Sequence, residues 1–416
     1  MKRRVAITGL GVVSALGGDA ESNRTALRAG RSGVRPLRQF PSQKFPVTAG
    51  GEVADADLPR GAGRIAALAE TALAAALRDA RLEPDAAPRP EVAACWALGK
   101  PRLDLEQLRG WLDAAAPDAA APDQLAWLRA QAAAALRRHG HGTAELLARL
   151  ARRAGAGGAK VACYTACASG NDALGMGKRL IERGEAELVV AGGADSQLDP
   201  LSLLEYELLA ALAPPREGEA PAAWCRPFDR QRRGFVVGEG AAALVLEAEE
   251  HARRRGARPR AWLTGYGSSL DAFGLTKCHP EGRGAAQAMA AALRDAGLRP
   301  EDIDYINAHG TGTVLNDRAE AAGIRAVWGE AARAVPISST KAATGHLIAA
   351  ASAVEAALTI LAMEAGFLPP SLNYREFDPE CALNVVAAAE ERRWRRALSN
   401  GFGFGGQNAC VILEAA

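Results

Sequence analysis

The run Lys160-Val161-Ala162-Cys163-Tyr164-Thr165-Ala166-Cys167-Ala168-Ser169-Gly170-Asn171-Asp172-Ala173-Leu174-Gly175-Met176-Gly177 decides how the chain is read. A short strand-forming stretch passes through a Ser/Thr-containing turn into a helix rich in small residues. Val335 to Glu355 repeats this design. Helices made of Ala, Gly and Ser let neighbouring backbones approach closely. Both segments are therefore predicted to be central and buried, and their likeness predicts an internal duplication.

Outward from these two segments, short β-branched runs alternate with Ala-rich amphipathic stretches. That alternation predicts an α/β layered fold in which helices cover largely parallel strands. The predicted strands are Val5 to Thr8, Val92 to Leu98, Lys160 to Tyr164, Glu187 to Ala191, Ala242 to Leu246, Ala261 to Thr264, Ile303 to Asn307, Val335 to Ser338, Ala397 to Asn400 and Ala409 to Leu413. Helices are predicted over Arg64 to Arg78, Asn171 to Glu182, Gly284 to Ala296, Asp317 to Trp328 and Ala349 to Ala365. Charges and a proline break the pattern at Arg253 to Pro259, which divides the chain into halves 1–256 and 257–416. Between Gly99 and Gly158 the composition turns to Ala, Arg and Leu. Pro117 and Pro122 separate helical stretches there, Leu103 to Ala114, Gln124 to Arg138 and Thr143 to Arg153, as in a helical insertion or lid.

With 416 residues, 49% hydrophobic and 24% charged, the chain is long enough for a large core of two sub-structures and too apolar for disorder. Its 50 basic residues nearly balance 48 acidic ones, so nothing in the charge points to nucleic acid. Seven widely spaced cysteines, an odd number, point to a reducing compartment and to the cytoplasm. Lys2-Arg3-Arg4 followed by Val5 to Leu16 imitates a signal peptide, but Thr8, Gly9 and Gly11 interrupt the apolar run, which reads as a strand and turn. No stretch approaches 18 uninterrupted apolar residues, so no membrane span is expected.

Three residues stand out chemically. Cys167 follows a strand at the start of a helix, where unpaired N–H groups and the positive dipole end favour thiolate over thiol. Cys163, Cys381 and Cys410 lack that setting and read as small buried hydrophobes. His309 and His346, two of only six histidines, each sit at a strand exit beside glycines, in Asn307-Ala308-His309-Gly310-Thr311-Gly312-Thr313 and Ser339-Thr340-Lys341-Ala342-Ala343-Thr344-Gly345-His346. With Cys167 they form a candidate cysteine–histidine site. A zinc site would use the same ligand types, but paired Cys-x-x-Cys or His-x-x-x-His spacing is missing, so no metal is expected. Gly9-Leu10-Gly11 has Ser14 at the third glycine position of a dinucleotide loop and no acidic residue at the expected distance. Gly401-Phe402-Gly403-Phe404-Gly405-Gly406 leads into a strand rather than a helix, and reads as a mobile loop with aromatic plugs.

Taken together, Thr165-Ala166-Cys167-Ala168-Ser169-Gly170, Arg226-Pro227-Phe228-Asp229, Gly234 to Gly240, Asn307 to Thr311, Ser339-Thr340-Lys341, Thr344-Gly345-His346 and Gly401 to Asn408 make the chain resemble the condensing enzymes of the thiolase superfamily. The resemblance is to a type II β-ketoacyl-(acyl carrier protein) synthase of the elongating, Cys-His-His class. It implies a five-layered αβαβα fold of two pseudo-duplicated halves, the first carrying the cysteine and the second both histidines. It also implies a ping-pong, decarboxylative Claisen condensation with malonyl-carrier protein in fatty-acid, polyketide or polyene chain elongation. Cys167 would take the acyl group, with the backbone N–H groups of Cys167 and Phe404 as oxyanion hole. His309 and His346 would bind the malonyl thioester oxygen. Lys341, supported by Glu355, would hold the second histidine's loop, Phe404 would be the gate, and Phe402, Thr311 and Thr313 would support the site. No separate cofactor is implied, since substrates ride on the phosphopantetheine of the carrier protein.

The partners implied are an acyl carrier protein and a second subunit, as a homodimer or as a heterodimer with a homologous synthase subunit. Two other readings are a chain-length-setting subunit, which would not be acylated, and a coenzyme A-dependent thiolase, which uses a second cysteine where this chain has Gly401-Phe402-Gly403. The chain departs from the family at Arg232-Arg233-Gly234-Phe235, at Gln407, at Gly274 after Asp271-Ala272-Phe273, and at Ala210, where a docking arginine often stands. Arg60 and Arg64 are then the candidates for carrier docking.

Overall fold

A computed structural model of the chain describes residues 2–40, 42, 45–59, 63–100 and 142–416. The main sheet contains β1 (Val5–Ser14), β2 (Val92–Leu98), β3 (Lys160–Cys163), β4 (Leu188–Ser196), β5 (Glu239–Ala248), β6 (Ala261–Leu270), β7 (Tyr305–Asn307), β8 (Pro336–Ser338), β9 (Asn384–Val385), β10 (Arg396–Gly403) and β11 (Gln407–Ala415). Their spatial order is β9-β8-β7-β10-β11-β6-β1-β5-β4-β2-β3. All ten predicted strands are present, and the short β9 at the edge is additional. The strands are not largely parallel. β1 with β5, β5 with β4, β6 with β11 and β11 with β10 run antiparallel, while β4-β2-β3 and β10-β7-β8-β9 run parallel.

That mixture contains the duplication. The series β1-β5-β4-β2-β3 and β6-β11-β10-β7-β8 have the same succession of senses, two antiparallel pairings followed by two parallel ones. They meet only where Ala6 pairs with Trp262 and Ile7 with Ala261. The helices are α1 (Ala20–Arg28), α2 (Arg64–Asp79), α3 (Thr143–Arg153), α4 (Ser169–Glu182), α5 (Pro200–Leu208), α6 (Glu249–Arg254), α7 (Arg283–Ala296), α8 (Val314–Trp328), the single turn α9 (Lys341–Thr344) and α10 (Ala351–Ala365). α4 and α10 pack on each other between the two strand series. α2 covers the outer side of β1, β5 and β4, and α7, backed by α8, covers β6 and β11. The result is the five-layered αβαβα arrangement.

Small residues make the layers close. A Cβ on Gly170 of α4 would overlap the backbone nitrogen of Ala353 in α10, and one on Gly9 or Gly11 of β1 would overlap the backbone of α2. The opening segment is a strand and turn as expected, but the strand runs past Thr8 to Ser14, with a register shift between Ile7 and Gly9, before the turn at Ala15-Leu16. Its glycines are needed for helix contact. α2 presents Leu68, Leu73 and Leu77 to the same core, each nearly or fully buried, and each such leucine stabilises by about 1.5–3 kcal/mol relative to exposure. The stretch Ile348–Ala365 is long and apolar enough to cross a membrane by length and composition, but Ser352, Glu355, Thr359 and Glu364 interrupt it and it is 89% buried as the central helix. Of the insertion's predicted helices, Thr143–Arg153 forms as expected, whereas Leu103 to Ala114 and Gln124 to Arg138 lie outside the described residues. All seven cysteines are unpaired.

Candidate active site

Cys167 occupies a strained turn between β3 and α4. Ala166 has φ +48°, a left-handed conformation unusual for a residue with a Cβ. Ser169 holds this turn, accepting at Oγ from Thr165 N (2.8 Å) and donating to Ala166 O (2.5 Å). The cysteine is 4% exposed.

His309 arrives from the second half. Past the end of β7, the backbone N–H groups of His309 and Gly310 donate to the two carboxylate oxygens of Glu320 on α8 (2.8 and 2.7 Å). Asn400 Nδ2 donates to the same carboxylate at 2.9 Å. Gly310 (φ +34°) lies against Ser339, where a side chain would collide. His346 is pinned by its backbone, its N donating to Val236 O (2.7 Å) and its O accepting from Gly238 N (2.9 Å). Gly345, at φ +76°, allows the loop to pass against Gly238.

These turns bring the three predicted residues together. Nε2 of His346 lies 3.0 Å from Sγ of Cys167, and one ligand-type atom from each of Cys167, His309 and His346 falls within 4.8 Å of the others. The imidazole rings stand edge to face, 5.4 Å apart. Phe402 packs on His309 (5.7 Å) and Phe235 on His346 (5.0 Å). Lys341 is fully buried and its Nζ pairs with Glu355 Oε1 at 2.5 Å. Such spacing of Cys, His and His would also admit a cation, but the adjacent Lys341 ammonium, whose field reaches all three groups, opposes one.

Burial outweighs the helix dipole at the cysteine. It pushes the Cys167 thiol up to about 12, against the downward pulls of Lys341 and of the Phe404 backbone N–H that faces Sγ. The resting group is thus a thiol, not the thiolate expected from its helix N-terminus. Both histidines are held well below their ordinary range by burial and by Lys341, with each other's proximity adding to the effect at His309. Each ring is neutral at pH 7 and offers one N–H. Burial also raises Glu355 and Glu320 to about 7.

Gly401 to Gly406 is a hairpin rather than a mobile loop. β10 extends through Gly403, Phe402 is buried within it, and Gly403 pairs with Gln407 across a turn made by Gly405 (φ +86°) and Gly406 (φ +79°). Half-buried Phe404 sits at its tip. The turn is tied to the segment after β6, with Gly405 N donating to Leu275 O (2.6 Å) and Asp271 N to Gly406 O (2.7 Å). Beside Gly274, Phe273 packs on His279 at 5.1 Å. Thr311 and Thr313 bond through their hydroxyls at 2.8 Å on the loop after His309. Arg64 is not a free docking cation, because its guanidinium is spent on Glu239, Asp55 and Val53 O; Arg60 lies outside the described residues. Glu320 and Asn400 were not singled out from sequence. The only signal was an acid one helical face away from the glycine loop of His309.

A buried thiol at a helix start, with two neutral imidazoles converging on it from the other half of an αβαβα fold, defines a thiolase-like acyltransferase of the Cys-His-His type. The comparisons with known proteins agree. Residues 2–252 match the β-ketoacyl synthase N-terminal domain and residues 260–375 the β-ketoacyl synthase C-terminal domain, so the chain belongs to the β-ketoacyl synthase family. It is 35% identical to 3-oxoacyl-[acyl-carrier-protein] synthase 2 of Synechocystis, covering 99% of this chain and 98% of that protein. It is 37% identical to the tetracenomycin polyketide synthase ketoacyl synthase alpha subunit of Streptomyces glaucescens, covering 99% and 97%. Among solved structures, the ishigamide ketosynthase/chain length factor superposes with a TM-score of 0.86 at 36% identity over 100% of both chains.

Proposed function

We propose that this chain catalyses the decarboxylative condensation of an acyl group with malonyl-acyl carrier protein, giving a β-ketoacyl-carrier protein and carbon dioxide. The observation that carries this reading is the 3.0 Å approach of His346 Nε2 to Cys167 Sγ with His309 beside both. Sγ attacks the thioester carbonyl of the acyl donor, and the thiol proton passes by way of His346 to the departing carrier thiolate. The oxygen of the tetrahedral intermediate is received by the N–H groups of Cys167 and Phe404, a contribution of several kcal/mol. In the second half-reaction the malonyl carboxylate leaves as carbon dioxide. Between the half-reactions His346 exchanges its single proton from Nδ1 to Nε2, the nitrogen facing the site; that N–H and the one of His309 hold the enolate oxygen, and the enolate carbon attacks the acyl-cysteine to release the Cys167 thiolate.

Lys341 and Glu355 hold the His346 loop. Phe404 is the gate, with Phe402, Thr311 and Thr313 supporting the site. The chain divides near residue 256 into a half carrying the nucleophile and a half carrying both histidines, and it works with a homologous second subunit. Seven free thiols support a reducing, cytoplasmic setting. A thiolase reading is disfavoured because Gly401-Phe402-Gly403 stands where a thiolase carries its second cysteine, and Cys410, buried in β11, donates to Asn400 Oδ1 (3.0 Å). Likeness to an alpha subunit and to a ketosynthase/chain length factor pair supports polyketide-type elongation within a heterodimer.

The test is intact-protein mass spectrometry with acyl-carrier proteins of different chain length. An acyl mass on the wild type and none on Cys167→Ala is expected, and no mass with any donor would point to a non-acylated subunit. His309→Ala is expected to lose malonyl decarboxylation by at least about a hundredfold while retaining acylation of Cys167. Equal loss of both would refute the role given to His309.

A further inference from the structure

The duplicated halves set the same device in two states. Ala166 (φ +48°) precedes α4 as Ile348 (φ +48°) precedes α10, and the caps that follow, Ala168 (φ −82°, ψ −13°) and Ala350 (φ −80°, ψ −18°), nearly coincide. Ala349 therefore stands where Cys167 stands. The strands beneath repeat as well. A Cβ on Gly401 of β10 would meet Cys167 O at 3.2 Å and Ala168 Cα at 3.3 Å, and one on Gly193 of β4 would meet Ala349 O at 3.3 Å and Ala350 Cα at 3.2 Å. Two positions further along these strands come Gly403 and Asp195.

The difference between those two residues decides what each helix start can do. A Cβ on Gly403 would lie 3.1 Å from Cys167 N, so the glycine leaves that amide open to an incoming oxygen. Opposite Ala349 the place is filled. Asp195, wholly buried, accepts at Oδ2 from Ala349 N (3.0 Å) and at Oδ1 from Ser196 N (2.7 Å) and Gln197 Nε2 (2.7 Å). Among the described residues, three N–H donors thus converge on its two oxygens.

We propose that Asp195 is a positioning residue for the condensation: reaching from a first-half strand, its carboxylate fills the second-half counterpart of the oxyanion pocket, anchors the start of α10, and so fixes His346 against Cys167. His346 lies three residues before Ala349 and is held on its other side by the backbone of Val236 and Gly238. Without the clamp at Ala349, the left-handed turn at Ile348 has one anchor instead of two. The same carboxylate acts on the nucleophile through space. The groups facing Cys167 are His346, His309, Lys341, Glu355, Asp195, Tyr164, Tyr206 and the Phe404 N–H, and Asp195 is among the negative charges that disfavour the thiolate.

This inference rests on Cys167 and His346 acting as proposed above, and the two are tested separately. Acylation of the wild type at Cys167 tests the nucleophile. For Asp195, the rate of Cys167 alkylation by iodoacetamide is measured against pH in the wild type and in Asp195→Asn, alongside condensation and thermal unfolding. Asn has one accepting atom and no charge, so the alkylation profile is expected to move down by about half a pH unit or more, and condensation to slow by at least about tenfold. An unchanged profile overturns the proposal. That holds whether activity is retained or falls in step with thermal stability, since the second case marks a purely structural residue. If Asp195→Asn does not fold, Gln197→Met withdraws only one donor from Oδ1; condensation slowed by about threefold or more supports the clamp, and a wild-type rate overturns it.

Discussion

Burial of the Cys167 thiol fixes how its reactivity depends on pH. Because the group is pushed up to about 12, the thiolate is scarce at pH 7 and each rise of one pH unit increases it about tenfold. Iodoacetamide labelling of Cys167 is expected to climb steadily between pH 7 and 10, and a plateau below pH 9 would contradict the assignment. The Lys341–Glu355 pair is equally dependent on burial. With 0% and 3% of the two side chains exposed, Glu355→Gln leaves an ammonium without its counter-charge in the core. Urea unfolding above pH 8, where the Glu355 carboxyl is ionised, should show a loss of about 3–5 kcal/mol, most of it recovered by removing the lysine charge as well. At this scale Cys167, His309 and His346 were legible because a helix start and glycine loops mark them. Glu320 and Asp195 were not, because an acid on a helix or at a strand end looks like any solvated carboxylate until the chain folds over it.

The elements were legible as types and less so as partners. Apolar runs named every strand of the two five-stranded series, and small-residue runs named α4 and α10. Periodicity carries no information on direction, however, and a fully buried antiparallel strand such as β5 reads just like a parallel one. The two-residue β9 is too short to have a pattern at all. Close approach of α4 and α10 gives a prediction at this scale. Gly170→Ala puts a methyl group on the backbone of Ala353, forcing the helices apart at an expected cost of about 1–3 kcal/mol and displacing Cys167. Gly63→Ala, at the N-cap of α2 with open space around it, serves as the control without a clash and should cost less, at most about 1 kcal/mol for the poorer cap. Denaturant melts of the two variants make the comparison.

The two halves share one core. The cluster around α4 and α10 takes Val5, Ile7, Leu174 and Leu246 from the first half, and Leu263, Leu358, Val411 and Leu413 from the second. Lys178 on α4, almost fully buried, pairs with Asp295 of α7 at 2.6 Å and with Glu182 at 2.7 Å. Residues 1–256 expressed alone are therefore expected to lack a cooperative melt, and a sharp transition with dispersed amide resonances would show the halves to be independent. Duplication was visible in the sequence as two similar segments, but the long-range pairing that turns two repeats into one core was not, because it joins residues far apart in the chain.

The glycine at position 403 and the aspartate at position 195 also have a meaning in heredity. Either aspartate codon becomes a glycine codon by a single base change, and a glycine codon becomes one for an acidic residue, aspartate or glutamate, by the reverse change. Alongside the nucleophile itself, Cys167 in one repeat and Ala349 in the other, the inequality of the two helix starts thus includes a difference that one base change could remove. Selection on such a duplicated gene falls on the absence of a side chain in one copy as strictly as on its presence in the other.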